Sequence, residues 1–288
     1  MTNAPGSRSP LLLTLPVHEQ LCAARANAPQ TIRCSLDLGR SEVSVDVEAE
    51  QWKYADQAFP FLDVCKDRTI YFWTGEAFAP VQRFSHSLIK LVPTQWGAPT
   101  FEIDGIKMLP TAQLSPFADA QQKVALIQPR GKVILDTCGG LGYFAMWCLR
   151  SGASEIVSFE KNSDVLWLRS LNPWSPEGSG ETDARLQLTV ADVSERIASL
   201  PTARFDAALH DPPRFGIAGE LYSQAFYDEL ARVLKPRGKL FHYTGTPNKL
   251  TTGRDVPREV AGRLQRAGFD TRLHGDGVLA TKNRREVR

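Results

Sequence analysis

The chain has 288 residues, of which 42% are hydrophobic and 23% charged, enough to bury a sizeable core without disulfide or metal staples. Its 34 basic and 32 acidic side chains leave a net charge of +2, which excludes a histone-like polyelectrolyte but not a local basic patch. Residues 1–128 carry 11 basic and 13 acidic groups and the remainder 23 and 19, so only the later segment is mildly basic.

Cys22, Cys34, Cys65, Cys138 and Cys148 form no C-x-x-C pair, which argues against a disulfide framework or a cysteine zinc site. His18, His86, His210, His242 and His274 offer no closely spaced ligand pair, so no metal is expected. No apolar run approaches the roughly 20 residues of a membrane span. Met1–Pro10 is polar and reads as a disordered tail rather than a signal peptide. The expectation is a cytoplasmic protein that makes no use of a membrane.

Residues 11–115 read as a small β-rich domain. Thr31–Leu38 and Glu42–Val47 alternate around Gly39-Arg40 as a hairpin does, and Arg68–Thr74 and Ser87–Val92 are further strands. Asp104-Gly105 inside Phe101–Met108 is a hairpin turn signal. Trp52, Tyr71, Phe72, Trp73, Phe84 and Trp96 are expected to supply the small core of this region, with some of them as candidates to face a ligand. A helix should follow over Pro116–Ile127.

Residues 116–288 read as a second domain with a different rhythm. Apolar strands at Lys132–Asp136, Glu155–Phe159, Leu186–Val190, Phe205–Leu209 and Lys239–Tyr243 alternate with helical patterns at Tyr143–Leu149, Ser163–Ser170, Gly219–Leu234 and Val256–Ala267. A hairpin, Phe269–Leu273 with Gly277–Thr281, closes the pattern, and Lys282–Arg288 is a solvated basic tail. Strands alternating with helices of this length predict a parallel, doubly wound α/β sheet.

Ligands of such sheets bind beyond the carboxyl ends of the strands. Asp136, Glu160, Asp192 and Asp211 fall at four of those ends. The stretch Asp136-Thr137-Cys138-Gly139-Gly140-Leu141-Gly142 turns from strand to helix, and its glycines let a ligand approach the backbone. Gly140-x-Gly142-x-x-Ala145 matches a dinucleotide fingerprint, which would hold a pyrophosphate. Asp136 argues against that, because its charge repels pyrophosphate and suits a ligand with an ammonium group. S-adenosylmethionine has that group and a ribose, whose hydroxyls a carboxylate at Glu160 can bind, and it has no phosphate. Asp136 and Glu160 could also serve only as local caps.

The segments VILDTCGGLGYFA, VSFEKN, LNPW, HDPPRF, GELYSQAFYDELARVLKPRGKLFHYTG and RDVPREVAGRL resemble class I S-adenosylmethionine-dependent methyltransferases, and most closely a largely archaeal group of predicted methyltransferases. FEIDGIKMLPT resembles the hairpin that precedes the catalytic domain in that group. The resemblance implies a Rossmann-like seven-stranded class I methyltransferase sheet behind a small β-rich N-terminal domain. The family pattern D-x-G-x-G-x-G falls on Asp136, Cys138, Gly140 and Gly142; Cys138 stands where the family has glycine, with Gly139 beside it. The same resemblance places the ribose on Glu160 with Lys161 and Asn162 flanking it, and Asp192 near the adenine amino group.

His210-Asp211-Pro212-Pro213-Arg214-Phe215 resembles the [N/D]-P-P-[aromatic] motif of methyltransferases acting on nitrogen, in which a carboxylate or carboxamide and a backbone carbonyl accept bonds from the target amine. Arg214 replaces the aromatic that would stack on a flipped base. It is instead suited to a carboxylate or phosphate, unless it forms a structural ion pair. The resemblance makes Asp211, Pro212, Arg214 and His210 the candidate catalytic residues, although a histidine in the place of His210 is more often a satisfied turn histidine than a base. His242 and Tyr243 are candidates to line the pocket.

The leading expectation is methyl transfer to a nitrogen of a small-molecule acceptor, with RNA as a further acceptor class. Aminopropyl or aminocarboxypropyl transfer is the alternative, because spermidine-synthase-like enzymes share the sheet and carry a small β-rich N-terminal domain. A non-enzymatic cofactor-binding module is the third. Residues 31–108 are expected to act as a lid and acceptor-selecting surface.

Overall fold

The computed structural model describes residues 10–177, 183–214, 218–245 and 255–284. Most of the Met1–Pro10 tail, Phe215, Arg254 and the last four residues of the basic tail lie outside the described residues. The chain forms two compact units, Met1–Asp119 with Asp164–Thr182, and Ala120–Ser163 with Asp183–Arg288.

The first unit is built from small antiparallel sheets. Gln30–Cys34, Val43–Val47, Gln51–Tyr54 and Gln57–Pro60 form one in sequential order. Gln82–Phe84, Leu88–Val92, Thr100–Ile103 and Ile106–Lys107 form another. Both Asp104 and Gly105 have positive φ, the geometry of a two-residue hairpin turn. Leu12–Leu13, Tyr71–Trp73 and Phe78–Pro80 make the third sheet. Trp52 is fully buried and stacks on Phe59 at 4.5 Å, and its indole donates to the Pro60 carbonyl. Tyr71 is buried as expected, whereas Phe84 is 74% and Trp96 40% exposed, so these two are not core residues.

Two elements of this unit differ from the sequence reading. A helix, Leu15–Arg25, occupies a stretch that carries Pro16, which is tolerated because it stands in the first helical turn. The helix Ser163–Leu171 and the turn after it belong with the β-rich unit rather than with the strands around them. The packing explains why. Ser85 Oγ donates to Asp164 at 2.7 Å, the Arg83 guanidinium lies 4.0 Å over the Trp167 ring, and Phe72 meets Trp167 edge-on. Trp174 of the LNPW segment donates to the Leu38 carbonyl at 3.1 Å and packs edge-on against Phe117. Trp174→Ala should therefore cost about 3 kcal/mol in urea unfolding, the scale of a deleted packed aromatic. A loss below about 0.5 kcal/mol would show that this segment is not held there.

The second unit is a seven-stranded sheet: β1 Val133–Asp136, β2 Glu155–Glu160, β3 Leu186–Val190, β4 Phe205–His210, β5 Leu234–Tyr243, β6 Phe269–His274 and β7 Gly277–Lys282. Their order across the sheet is 3-2-1-4-5-7-6. Pairings among β1 to β5 are parallel, and β7 runs antiparallel to both of its neighbours. Ile134, Leu135, Ala207, Ala208 and Leu209 are fully buried, as strands of a parallel sheet covered on both faces must be.

The expected helix Gly219–Leu234 is interrupted. A 3₁₀ turn over Gly219–Tyr222 ends at Ser223, whose extended backbone and hydroxyl, bonded to the Phe226 amide, cap a new helix over Gln224–Val233. β5 begins at Leu234, five residues before its expected start at Lys239. Pro236-Arg237-Gly238 is carried as an irregularity opposite Phe205–Ala207, with Arg237 at positive φ. Gly238 is needed there, because a Cβ would lie 2.8 Å from the Lys235 carbonyl.

Candidate active site

The chain steps outward from β1 to β2 and β3 and then returns to β4 on the other side of β1, so the β1–β4 boundary is the point where the winding reverses. That is where open α/β sheets bind ligands. The glycine turn follows β1 and the Asp-Pro-Pro turn follows β4. The two are tied together: the Thr137 amide donates to the Leu209 carbonyl, and Thr137 Oγ1 lies 2.7 Å from His210 Nδ1.

Within the glycine turn, the Gly139 amide donates to the Phe159 carbonyl of β2 and the Gly142 amide to the Gly139 carbonyl. Gly140 and Gly142 have φ of +48° and +78°, and Gly142 starts the helix Tyr143–Arg150. Glu160 is engaged from both sides, its Oε2 by the Gly140 amide and its Oε1 by the Asn162 amide, each at 2.9 Å. The carboxylate is thereby aimed along the loop that would cradle a ligand. Asp136 is buried and accepts from the Ser158 hydroxyl at 2.8 Å.

Lys161 reaches the neighbouring strand end, where its ammonium bonds Asp192 at 2.9 Å. This bond is the main cause that holds the lysine above its ordinary pKa. Asp192 also caps the helix Val193–Arg196 through the Ser194 amide and hydroxyl. Burial opposes its charge, but the Ser194 hydroxyl and Lys161 outweigh that and keep its pKa below the ordinary carboxylate value. Both oxygens of Asp192 thus have partners within the protein.

Cys138 reports the electrostatics of the site. Its thiol is pushed well up, first by burial and, against a hydrogen bond to Thr137, also by the carboxylates of Glu160, Asp136 and Asp211. Asp136 opens this turn, Glu160 accepts from the Gly140 amide within it, and Asp211 follows the adjacent strand β4. Such a field disfavours a pyrophosphate and favours a cationic adenosyl ligand, so the donor set fits S-adenosylmethionine. Gly140→Val should remove binding detectable by calorimetry, because a β-branched residue resists this φ and its side chain enters the cradle. Gly152 also has positive φ, at +79°, but stands away from the turn, where a Cβ meets only Arg130 at 3.7 Å. Gly152→Ala should cost about 1 kcal/mol of stability and leave binding intact. Equal binding losses in both variants would place the ligand elsewhere.

In the second turn, Pro212 is buried, Asp211 half-buried and Arg214 exposed. The alternative of a structural ion pair for Arg214 is not met among the described residues, with none of which its side chain makes a hydrogen bond or ion pair. The Pro213 carbonyl accepts from the Tyr222 hydroxyl at 3.1 Å, whereas the Pro212 carbonyl has no donor among the described residues. His210 is not presented to a substrate. It is fully buried, with Nε2 against the Leu221 carbonyl at 3.1 Å and Nδ1 against Thr137, so neither nitrogen is available as a base. His242 is buried beside it, ring centres 4.4 Å apart, between the Tyr227 hydroxyl and the Tyr243 carbonyl. Tyr222 escaped the sequence reading, because nothing in its local pattern shows the turn it serves.

Residues 159–248 match a family described as S-adenosyl-L-methionine-dependent methyltransferase. "Uncharacterized protein MJ1233" of Methanocaldococcus jannaschii is 39% identical over 268 residues, which cover 88% of this chain and 91% of that one, and the chain belongs to the family of that protein. In fold it is also similar to a crystal structure of spermidine synthase in complex with the transition-state analogue AdoDATO. That likeness has a TM-score of 0.57 and 16% identity over 70% of this chain and 72% of the other. A 65-residue stretch is 38% identical to "Polyamine aminopropyltransferase 2" of Streptomyces coelicolor, covering 22% of this chain and 12% of that protein. No helix among the described residues is long and apolar enough to cross a membrane.

Proposed function

We propose that the protein transfers the methyl group of S-adenosylmethionine to a nitrogen atom of a small molecule. The observation that carries this reading is the acceptor chemistry at the end of β4: Asp211 and Pro212 are consecutive in the Asp-Pro-Pro turn, and the Pro212 carbonyl has no donor among the described residues. Two such acceptors suit the N–H groups of an amine and orient its lone pair.

Bound S-adenosylmethionine supplies an electrophilic methyl group on a sulfonium. Glu160 would hold the ribose, and Asp136 with the glycine turn would hold the amino acid end. Attack by the nitrogen lone pair on that methyl carbon would leave the C–S electron pair on sulfur, with S-adenosylhomocysteine as the leaving product. Asp211 accepts the N–H proton and stabilises the positive charge that develops on nitrogen.

A second reading is aminopropyl or aminocarboxypropyl transfer, favoured by the likeness to spermidine synthase and by the short aminopropyltransferase match. Product analysis separates the two. With methyl-labelled S-adenosylmethionine or its decarboxylated form and an extract that holds both metabolites and RNA, the proposal expects S-adenosylhomocysteine and label in the low-mass fraction from the undecarboxylated donor. Methylthioadenosine would establish the second reading, and label in RNA would replace the acceptor class.

A further inference from the structure

We propose that Tyr222 is a positioning residue for the acceptor: its hydroxyl holds the Pro213 carbonyl and so leaves the Pro212 carbonyl turned to the incoming amine. The inference rests on the reading of Asp211–Arg214 as the acceptor turn. Two successive prolines present two carbonyls and no N–H, so the turn cannot satisfy itself through its own backbone. One of those carbonyls is fixed by Tyr222 at 3.1 Å and the other has no donor among the described residues.

Tyr222 is itself well anchored. Its side chain is buried, its own carbonyl accepts from the Arg263 guanidinium at 2.5 Å, and its ring lies 5.4 Å from that of His242. Burial and then the nearby Asp211 raise its phenol pKa, so it remains a donor at any working pH. Without the hydroxyl, the Pro213 carbonyl would lose its donor and compete with Pro212 for the same N–H, and the peptide plane between 213 and 214 could rotate.

The acceptor need not be known for the test. Sinefungin carries an amine where the transferred methyl stands, so its affinity relative to S-adenosylhomocysteine reads the acceptor carbonyls directly. Tyr222→Phe should lower the sinefungin preference about tenfold and leave S-adenosylhomocysteine affinity unchanged. Tyr227→Phe is the control, since it deletes another buried hydroxyl, bonded to His242, that does not touch the turn; it should keep the wild-type preference. Three results would overturn the inference: an unchanged preference in Tyr222→Phe, an equal loss in Tyr227→Phe, or a matching loss of S-adenosylhomocysteine binding in Tyr222→Phe. Asp211→Ala tests the underlying reading separately. It should abolish the preference, and if it does not, the acceptor turn itself is misassigned.

Discussion

Asp211→Ala lowers turnover by about 10²-fold or more, the range for a group that orients a nucleophile and takes its proton. Affinity for S-adenosylhomocysteine stays within about twofold of wild type, because the residues proposed to hold it stand at the β1 and β2 ends rather than on this turn. Steady-state kinetics beside calorimetry check the split. Lost cofactor affinity with turnover preserved at saturation would move Asp211 from the acceptor to the cofactor. The size of the effect follows from how little else the turn offers: His210 is sealed between Thr137 and Leu221, and Pro213 is held by Tyr222.

The second large effect is on stability. His210 and His242 are both buried and neutral. Burial lowers the pKa of His210 well below its ordinary value, aided by its neighbour His242, and burial takes that of His242 to about 3. In the unfolded chain both regain a pKa near 6.5. Because the folded values are depressed, the unfolded state binds the extra protons, and stability present above pH 6.5 is lost as pH falls toward 3. Between pH 7.5 and 5 each histidine should cost about 2 kcal/mol, so the pair costs about 4 kcal/mol. Carboxylates with lowered pKa, such as Asp192 and Asp206, add their losses only below about pH 4. Urea unfolding at a series of pH values checks this, and a flat profile from 7.5 to 5 would show that these histidines are not sealed.

Much of this architecture could be read from the chain. The strand ends that carry Asp136, Glu160 and Asp211 are local signals, each an apolar run that stops at a carboxylate, and the glycine turn follows β1 as its spacing requires. The missing parts are tertiary. Trp174 lies in the LNPW segment, yet its partner Leu38 is 136 residues away, so its place in the β-rich unit had no local trace. Tyr222 serves a carbonyl nine residues back across segments of irregular backbone, where periodicity carries no information. The hairpin Gln51–Pro60 was hidden because its turn puts Ala55 and Asp56, rather than glycines, at positive φ. His210 shows the converse: a motif position beside the proposed acceptor turn, whose side chain is fully buried between Thr137 and the Leu221 carbonyl.

A crystal structure with S-adenosylhomocysteine tests the central claim most directly. The account predicts the ribose hydroxyls on Glu160, the amino acid end against the Asp136–Gly142 turn, and the sulfur facing Asp211. A ligand bound with Glu160 still closed on the Gly140 and Asn162 amides and its ribose elsewhere would contradict it.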